Sequence, residues 1–166
     1  MIRTILSTIL AAGGVLSGAA LAEGRCTVSR DGSEVTLEHV YAVRIPDTFT
    51  DGATRIRVLC VSAPLDAAEL TSDDSFGPGW HAVHDGDRGG LLVELDTAAE
   101  PIYTVIARDG RSSQFSGPIW DVAFEGAEED GRLRGRIETT EPLSFEEEEP
   151  GWTFVVEVDA GIVEAR

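Results

Sequence analysis

The 166-residue chain has 42% hydrophobic residues and a formal net charge of −17 at pH 7. Nucleic acids and anionic membrane surfaces attract basic proteins, so this acidity argues against both as partners. The sequence has no lysine, which excludes a Schiff-base lysine, a P-loop lysine and a serine–lysine dyad. It also has no asparagine, which excludes N-glycosylation.

Residues 1–22 have the order of a secretory signal peptide. Arg3 supplies a positive start, a mostly apolar run follows, and Ala20-Leu21-Ala22 matches a cleavage site. The apolar run is shorter than the roughly 20 residues that span a bilayer. We therefore expect cleavage after Ala22, a periplasmic or secreted protein, and no membrane insertion of the mature chain. The mature part, 23–166, is predicted to be a single β-rich domain.

Period-two alternation of apolar residues predicts strands through most of the mature chain. In chain order, the predicted strands are Cys26–Ser29, Val35–Ile45, Thr54–Ser62, Leu91–Asp96, Ile102–Arg108, Gln114–Ser116, Ile119–Glu125, Arg132–Thr139 and Trp152–Val163. Leu65–Leu70 is the one predicted short helix, because its Ala, Leu and Glu content favours helix. Thr71–Gly90 is rich in Gly, Asp, Ser and Pro and is predicted to be a long loop. The pattern predicts an all-β fold, an antiparallel sandwich or barrel of about eight or nine strands with one short helix.

The alternation also assigns side chains to the core. In Val35–Ile45, every second residue is apolar or aromatic, so one long strand with a single buried face is predicted. Trp120 and Trp152 fall on inward faces of their strands. Trp80 lies in the predicted loop, where it either contacts a ligand or caps one end of the core.

The two cysteines of the chain, Cys26 and Cys60, both lie in the mature part. Two cysteines in a small exported domain usually pair, because the compartment is oxidising. The closed loop of about 35 residues would contribute roughly 4 kcal/mol in the chain-entropy model. The sequence therefore predicts a disulfide that joins the mature N-terminus to a core strand, with two buried free thiols as the alternative.

The predicted loop contains the best local candidate for a site, the segment from His81 to Asp87. Two imidazoles and two carboxylates within a few residues suit a divalent metal ion. The hypothesis assigns His81, His84, Asp85 and Asp87 as ligands in a protein that otherwise needs no cofactor. The spacing matches neither His-Glu-x-x-His nor the EF-hand loop, so solvated turn residues are the alternative.

Catalysis has weaker candidates. His39 lies mid-strand on an apolar face, where it is either a general base or a histidine of the core or its rim. A serine nucleophile is unsupported, because the closest run to Gly-x-Ser-x-Gly, Gly110-Arg111-Ser112-Ser113-Gln114, lacks the closing glycine. A glycosidase-like pair among the 30 acids stays open as an alternative, but no pair is singled out by its spacing.

Three arginines alternate along one predicted strand, Arg132, Arg134 and Arg136. They bind an anion or pair with carboxylates on neighbouring strands, and the excess of acids favours pairing.

These observations favour a non-catalytic binding or interaction module whose partner is a protein or a small ligand. One alternative is a small exported hydrolase that uses carboxylates or His39. The other is a divalent-metal-binding accessory protein that uses the 81–87 loop. A deep cavity that holds His39 beside a carboxylate would favour the hydrolase, and convergence of the four metal candidates would favour the metal protein.

Overall fold

The computed structural model describes residues 23–48, 50–72, 76–84, 89–146 and 149–165. The predicted signal peptide, residues 1–22, lies outside the described residues. Within the described ranges, no helix is both long and apolar enough to cross a membrane.

Ten strands and two short helices make up the described part of the chain. The strands are β1 (Glu23–Arg30), β2 (Ser33–Leu37), β3 (His39–Pro46), β4 (Thr54–Val61), β5 (Gly90–Leu95), β6 (Pro101–Arg108), β7 (Arg111–Ser116), β8 (Val122–Glu129), β9 (Arg132–Thr139) and β10 (Trp152–Glu164). The helices are α1 (Ala67–Leu70) and α2 (Trp80–His84). The predicted all-β class is confirmed, with a second short helix that the sequence pattern did not indicate.

The strands form two sheets that share β10. The first sheet has the order β2-β1-β10-β9-β8 and is antiparallel throughout. The second has the order β10-β3-β4-β5-β6-β7, and its β10–β3 pair is parallel. Strand β10 joins the sheets because residues 155–161 pair with β9 while 162–164 pair with β3.

The central core lies between the inner faces of the two sheets. Cys26, Leu37 and Phe154 from the first sheet belong to one buried cluster with Val58 and Leu91 from the second. Burial of aliphatic and aromatic side chains on this scale is the main stabilising contribution to a domain of this size.

A second buried cluster covers the outer face of the second sheet. Leu59 and Leu92 project from this face and pack with Leu65, Leu70 and Val83 from the segment that carries α1 and α2. Strands β4 and β5 are therefore buried on both faces over much of their length. The second half of β4, Val58–Val61, is apolar throughout, and Glu94 is the one charged residue of β5.

The single strand predicted over Val35–Ile45 is two strands in different sheets, broken at Glu38. Leu37 faces the central core, whereas Val43 faces the outer cluster. Strand β3 has apolar residues on both faces, and Val40 on one of them lies in the central core. The alternating pattern in the sequence therefore continues past Glu38, although β2 ends just before it. The prediction of one common face was wrong for this reason.

Two further predictions differ from the structure. The predicted loop contains α2, a helix of five residues that is too short to be stable without packing; Val83 supplies that packing as a buried residue of the outer cluster. Trp120 precedes β8 and is 85% exposed, so its inward assignment was wrong. Trp152 is 3% exposed, as predicted.

Cys26 and Cys60 are free, buried thiols, so the predicted disulfide is wrong in this structure. They lie on β1 and β4, in the core between the two sheets. Burial raises the pKa of the Cys60 thiol well above its usual range, and the neighbouring Cys26 raises it further. Both side chains pack as small apolar groups, which is the common behaviour of buried free cysteine.

Candidate ligand-binding cavity

A cavity of about 1200 Å³ opens on the outer face of the second sheet. Strands β4 to β6 form its floor, the segment 76–84 forms one wall, and β7 with the turn after it forms the opposite rim. The lining combines charged side chains on the floor, aromatic rings on the wall and small polar residues on the rim. This combination of apolar walls with a few fixed polar groups is typical of ligand sites.

One row of cross-strand neighbours crosses the floor. Val43 lies opposite Arg57, Arg57 opposite Glu94, Glu94 opposite Tyr103, and Tyr103 opposite Ser116. Directly opposed residues project from the same face of a sheet. The antiparallel register therefore places an ion pair, a phenol and a rim serine in one line along the cavity.

The ion pair of this row is buried. Arg57 donates to Oε1 of Glu94 from Nε at 3.1 Å and from Nη2 at 2.6 Å. Its Nη1 donates to the backbone carbonyl oxygens of Phe76 and Pro78 at 3.0 and 2.8 Å. Arg57 therefore joins the floor to the wall, and removal of one partner of such a pair leaves an uncompensated buried charge.

A second arginine balances the charge of the floor. Arg55 Nη1 donates to Oε2 of Glu94 at 3.1 Å, and its Nη2 lies 2.8 Å from Oδ1 of Asp47. Arg55 and Arg57 thus alternate with Glu94 and Asp47 in one network. Among the described residues, the two cations and two carboxylates of this network balance in formal charge.

Two glycines allow the wall to lie close to the sheet. Gly77 and Gly79 have φ of +77° and +69°, a region that side chains disfavour. A Cβ on Gly77 would lie 2.9 Å from Nη1 of Arg57, and a Cβ on Gly79 would overlap the side chain of Leu59. The sequence Gly77-Pro78-Gly79 therefore sets the distance between wall and floor.

The wall is an aromatic stack centred on Trp80. The Trp80 ring stacks on Phe76 at 5.3 Å, on His84 at 5.6 Å and on Tyr103 at 6.1 Å, with interplanar angles of 15° to 16°. His81 meets the Phe76 ring edge-on at 5.9 Å. Trp80 also packs against the outer cluster, so it both lines the cavity and covers the core.

Tyr103 joins the aromatic wall to the rim. Its hydroxyl donates to Oε1 of Gln114 at 3.3 Å. Burial raises the pKa of Tyr103 to about 12, and the charge of Glu94 contributes to the rise. The phenol is therefore a neutral hydrogen-bonding group at physiological pH.

The structure brings two of the four predicted metal ligands to this cavity. His81 and His84 line it from α2, where both take part in the ring contacts of the wall. Asp85 and Asp87 lie outside the described residues. Within the described residues, no group of three or more His, Cys, Asp or Glu side chains is arranged to hold a metal ion. The four-ligand assignment stays a prediction.

His39 is distant from the cavity along its own strand. It is the first residue of β3, opposite Val61, whereas the cavity is lined by Ile45 and Pro46 at the other end of β3. His39 therefore does not join the charged floor residues.

Sequence reasoning missed Arg57, Glu94 and Tyr103 as site residues. Two signals in the sequence point to Arg57 and Glu94. The run Val58–Val61 of β4 and most of β5 are apolar at consecutive positions, which indicates that both faces of these strands are covered. Arg57 directly precedes the first apolar run and Glu94 interrupts the second. A charged side chain in such a buried position needs a partner of opposite charge.

The alternating arginines of β9 pair with acids, as predicted. Arg132 and Arg134 both contact Oδ1 of Asp159 on β10, at 2.6 and 3.3 Å. Arg136 pairs with Glu157 on β10 and, at 2.8 Å, with Glu138 on its own strand. Arg132 is the main reason that the pKa of Asp159 is lowered. These ion pairs lie on the exposed face of the first sheet, where solvent weakens their contribution to stability.

The fold and the cavity define a two-sheet β protein with a large, aromatic-walled cavity on the outer face of one sheet. Comparison with protein-family models, curated proteins and solved structures returned no match.

Proposed function

We propose that this chain is an exported, non-catalytic binding module and that the cavity on the second sheet is its binding site. The observation that carries the proposal is the combination of an aromatic wall with a buried, neutralised ion pair in a cavity of about 1200 Å³. Ligand sites in proteins are usually concave, largely apolar and provided with a few oriented polar groups.

The floor supports a binding role because it is already organised. Arg57 and Glu94 hold each other and the wall in place, so a ligand does not have to order them. Fixed groups reduce the entropy that binding costs. A ligand also needs no counter-charge, because the floor network is balanced.

The chemistry of the site favours a neutral or cationic ligand with an aromatic or apolar face. The rings of Phe76, Trp80 and Tyr103 offer contacts to a planar group, and aromatic contacts contribute roughly 0.5–1.5 kcal/mol beyond area burial. The net charge of −17 attracts cations and repels anions at long range.

Export is the second part of the proposal. It rests on residues 1–22, whose composition fits a cleaved signal peptide. Removal of this segment, which contains Arg3, changes the formal net charge from −17 to −18 in the mature chain. Intact-mass measurement on periplasmic and culture fractions tests it: the mature protein should begin at Glu23, and a mass that retains 1–22 would contradict export with cleavage.

Fluorescence titration with N-phenyl-1-naphthylamine, a neutral aromatic probe, tests the cavity. Tyr103→Ala removes one ring of the cavity and should weaken binding about fivefold, from the loss of roughly 1 kcal/mol of ring contact. The matched control is Tyr41→Ala, because Tyr41 is the other tyrosine of the chain and packs against the outer cluster. Tyr41 does not line the cavity, so its variant should bind within about twofold of the wild type. Equal weakening in both variants, or no binding by the wild type, would refute the site.

A further inference from the structure

We propose that the ligand of this cavity is an extended peptide that adds to the second sheet as a further strand beside β7. This inference rests on the proposed function and identifies the partner of the same site. It begins from the edge position of β7, which pairs with β6 on one side. On its other side, the described part of the chain supplies neither a strand nor a backbone hydrogen bond.

The hairpin geometry shows which groups of β7 face outward. Asp109 and Gly110, between β6 and β7, have φ of 53° and 71°, the signature of a type I′ two-residue turn. The residues that flank such a turn form a hydrogen-bonded pair, and pairs then alternate along the ladder. With the continuous register of β6 and β7, the backbone N–H and C=O groups of Ser112, Gln114 and Ser116 point away from β6.

These outward-facing residues are also the ones beside the cavity. Gln114 and Ser116 line it, and Ser116 is the last member of the row that runs through Glu94 and Tyr103. A strand added to β7 would place a residue opposite Gln114 or Ser116, with its side chain on the same face at about 5.5 Å between Cα atoms. Every second side chain of the peptide would therefore continue the row over the cavity.

Other sheet edges carry protection that β7 lacks. At the edge strand β2, the side chain of Arg108 covers Ser33 through two donated hydrogen bonds of 2.8 and 2.7 Å, and the next residue, Glu34, is an exposed acid. The edge strand β8 carries the exposed acids Glu125, Glu128 and Glu129. Charges and covering side chains of this kind prevent unwanted strand pairing. The sequence of β7, RSSQFS, has no proline and no acid, and its one charged residue, Arg111, is next to the turn and does not line the cavity. The part of β7 at Gln114 and Ser116 is therefore suited to accept a partner strand.

The aromatic rings of the cavity and the net charge of the protein indicate which side chains the peptide carries. Its side chains that face the cavity meet Tyr103 and the Trp80 stack, which favours aromatic residues there. The net charge of −17 favours basic residues at the alternate positions. A segment of alternating aromatic and basic residues satisfies both conditions, and main-chain hydrogen bonds to β7 supply affinity as in other cases of strand addition.

The test uses calorimetric titration with a seven-residue probe of alternating arginine and tyrosine, blocked at both ends. The matched probe carries N-methyl groups on the tyrosine amides, which removes the main-chain donors and keeps every side chain. The proposal predicts binding of the first probe and at least about tenfold weaker binding of the second, from the loss of hydrogen bonds worth roughly 1 kcal/mol each. Equal binding of the two probes, or no binding below about 1 mM (roughly −4 kcal/mol), would overturn it.

Protein variants test the same contact from the other side. Gln114→Pro removes an outward-facing amide, which should not disturb the ladder with β6. Gln114→Ala removes the side chain and keeps the amide. The proline variant should bind the unmethylated probe about tenfold more weakly than the alanine variant, at similar thermal midpoints. If their affinities are equal, the peptide does not pair with β7.

Failure of this inference is distinguishable from failure of the proposed function. If N-phenyl-1-naphthylamine binds with the expected dependence on Tyr103 and the peptide does not bind, the cavity remains a ligand site and the β7 pairing is wrong. Sedimentation at rising protein concentration tests whether a second copy of the chain, rather than a peptide, pairs with β7. A dimer that Gln114→Pro dissociates would assign the edge to self-association and overturn the peptide.

Discussion

Replacement of Gly77 by alanine is expected to destabilise the protein through two separate effects. The first is backbone strain, because φ is +77° and the left-handed region costs an L-residue roughly 1–2 kcal/mol. The second is a collision, because the new Cβ would lie 2.9 Å from Nη1 of Arg57. That nitrogen holds the carbonyl oxygens of Phe76 and Pro78, so a shifted guanidinium loses at least one charge-assisted hydrogen bond, worth roughly 1.5–3 kcal/mol.

The expected loss in the free energy of unfolding for Gly77→Ala is therefore about 2.5–5 kcal/mol. Gly110→Ala is the matched control, because Gly110 has φ of +71° and no heavy atom within 4 Å of an added Cβ. It should lose only the backbone part, about 1–2 kcal/mol. Urea denaturation of both variants measures the difference, with the slope checked for two-state behaviour. Equal losses in the two variants would show that the wall does not rest on Arg57.

Three other outcomes follow from the structure. Glu94→Gln should lower the free energy of unfolding by about 3–5 kcal/mol, because it leaves buried arginine charge uncompensated. Glu128→Gln, at an exposed ion pair, should lower it by less than about 1 kcal/mol. Similar losses for the two variants in urea denaturation would contradict the buried network. The phenolate absorbance that Tyr103→Phe removes should titrate near pH 12, because burial raises the pKa of Tyr103 to about 12 from the usual value of about 10. The stability that this group contributes is complete below about pH 10 and is lost as the pH rises toward 12. A titration midpoint near pH 10 would contradict the buried environment of Tyr103. Cys26 and Cys60 should react with a thiol reagent only after unfolding under non-reducing conditions, and a count of no free thiols would contradict their assignment.

The inner faces of the sheets were predictable because they follow from local alternation. Leu91 and Val93 alternate along the predicted strand Leu91–Asp96, Val58 lies in the predicted strand Thr54–Ser62, and all three residues lie in the central core. The turn at Asp109-Gly110 was predictable for the same reason, since positive φ is a local property of these residues. Period-two patterns report which face is buried when a strand has one buried face.

The cavity was not predictable because each of its parts depends on distant residues. Strand β3 has two buried faces, so the apolar residues of its sequence do not reveal that the preceding strand ends just before Glu38. Helix α2 is stabilised by the packing of Val83 on the second sheet. Its five residues are too few for the sequence alone to indicate a helix. The contact between Arg57 and Glu94 joins residues 37 positions apart, which composition and spacing do not report.

An NMR titration of the isotope-labelled protein with N-phenyl-1-naphthylamine tests most directly whether the cavity is the binding site. The structure predicts saturable shift changes concentrated at the Trp80 indole and at the backbone amides of Tyr103 and Gln114. Two exposed aromatic residues elsewhere, Trp120 and Phe145 at 85% and 67% exposure, should not respond. Changes centred on Trp120 or Phe145, with none around Tyr103, would contradict the assignment of the cavity as the ligand site.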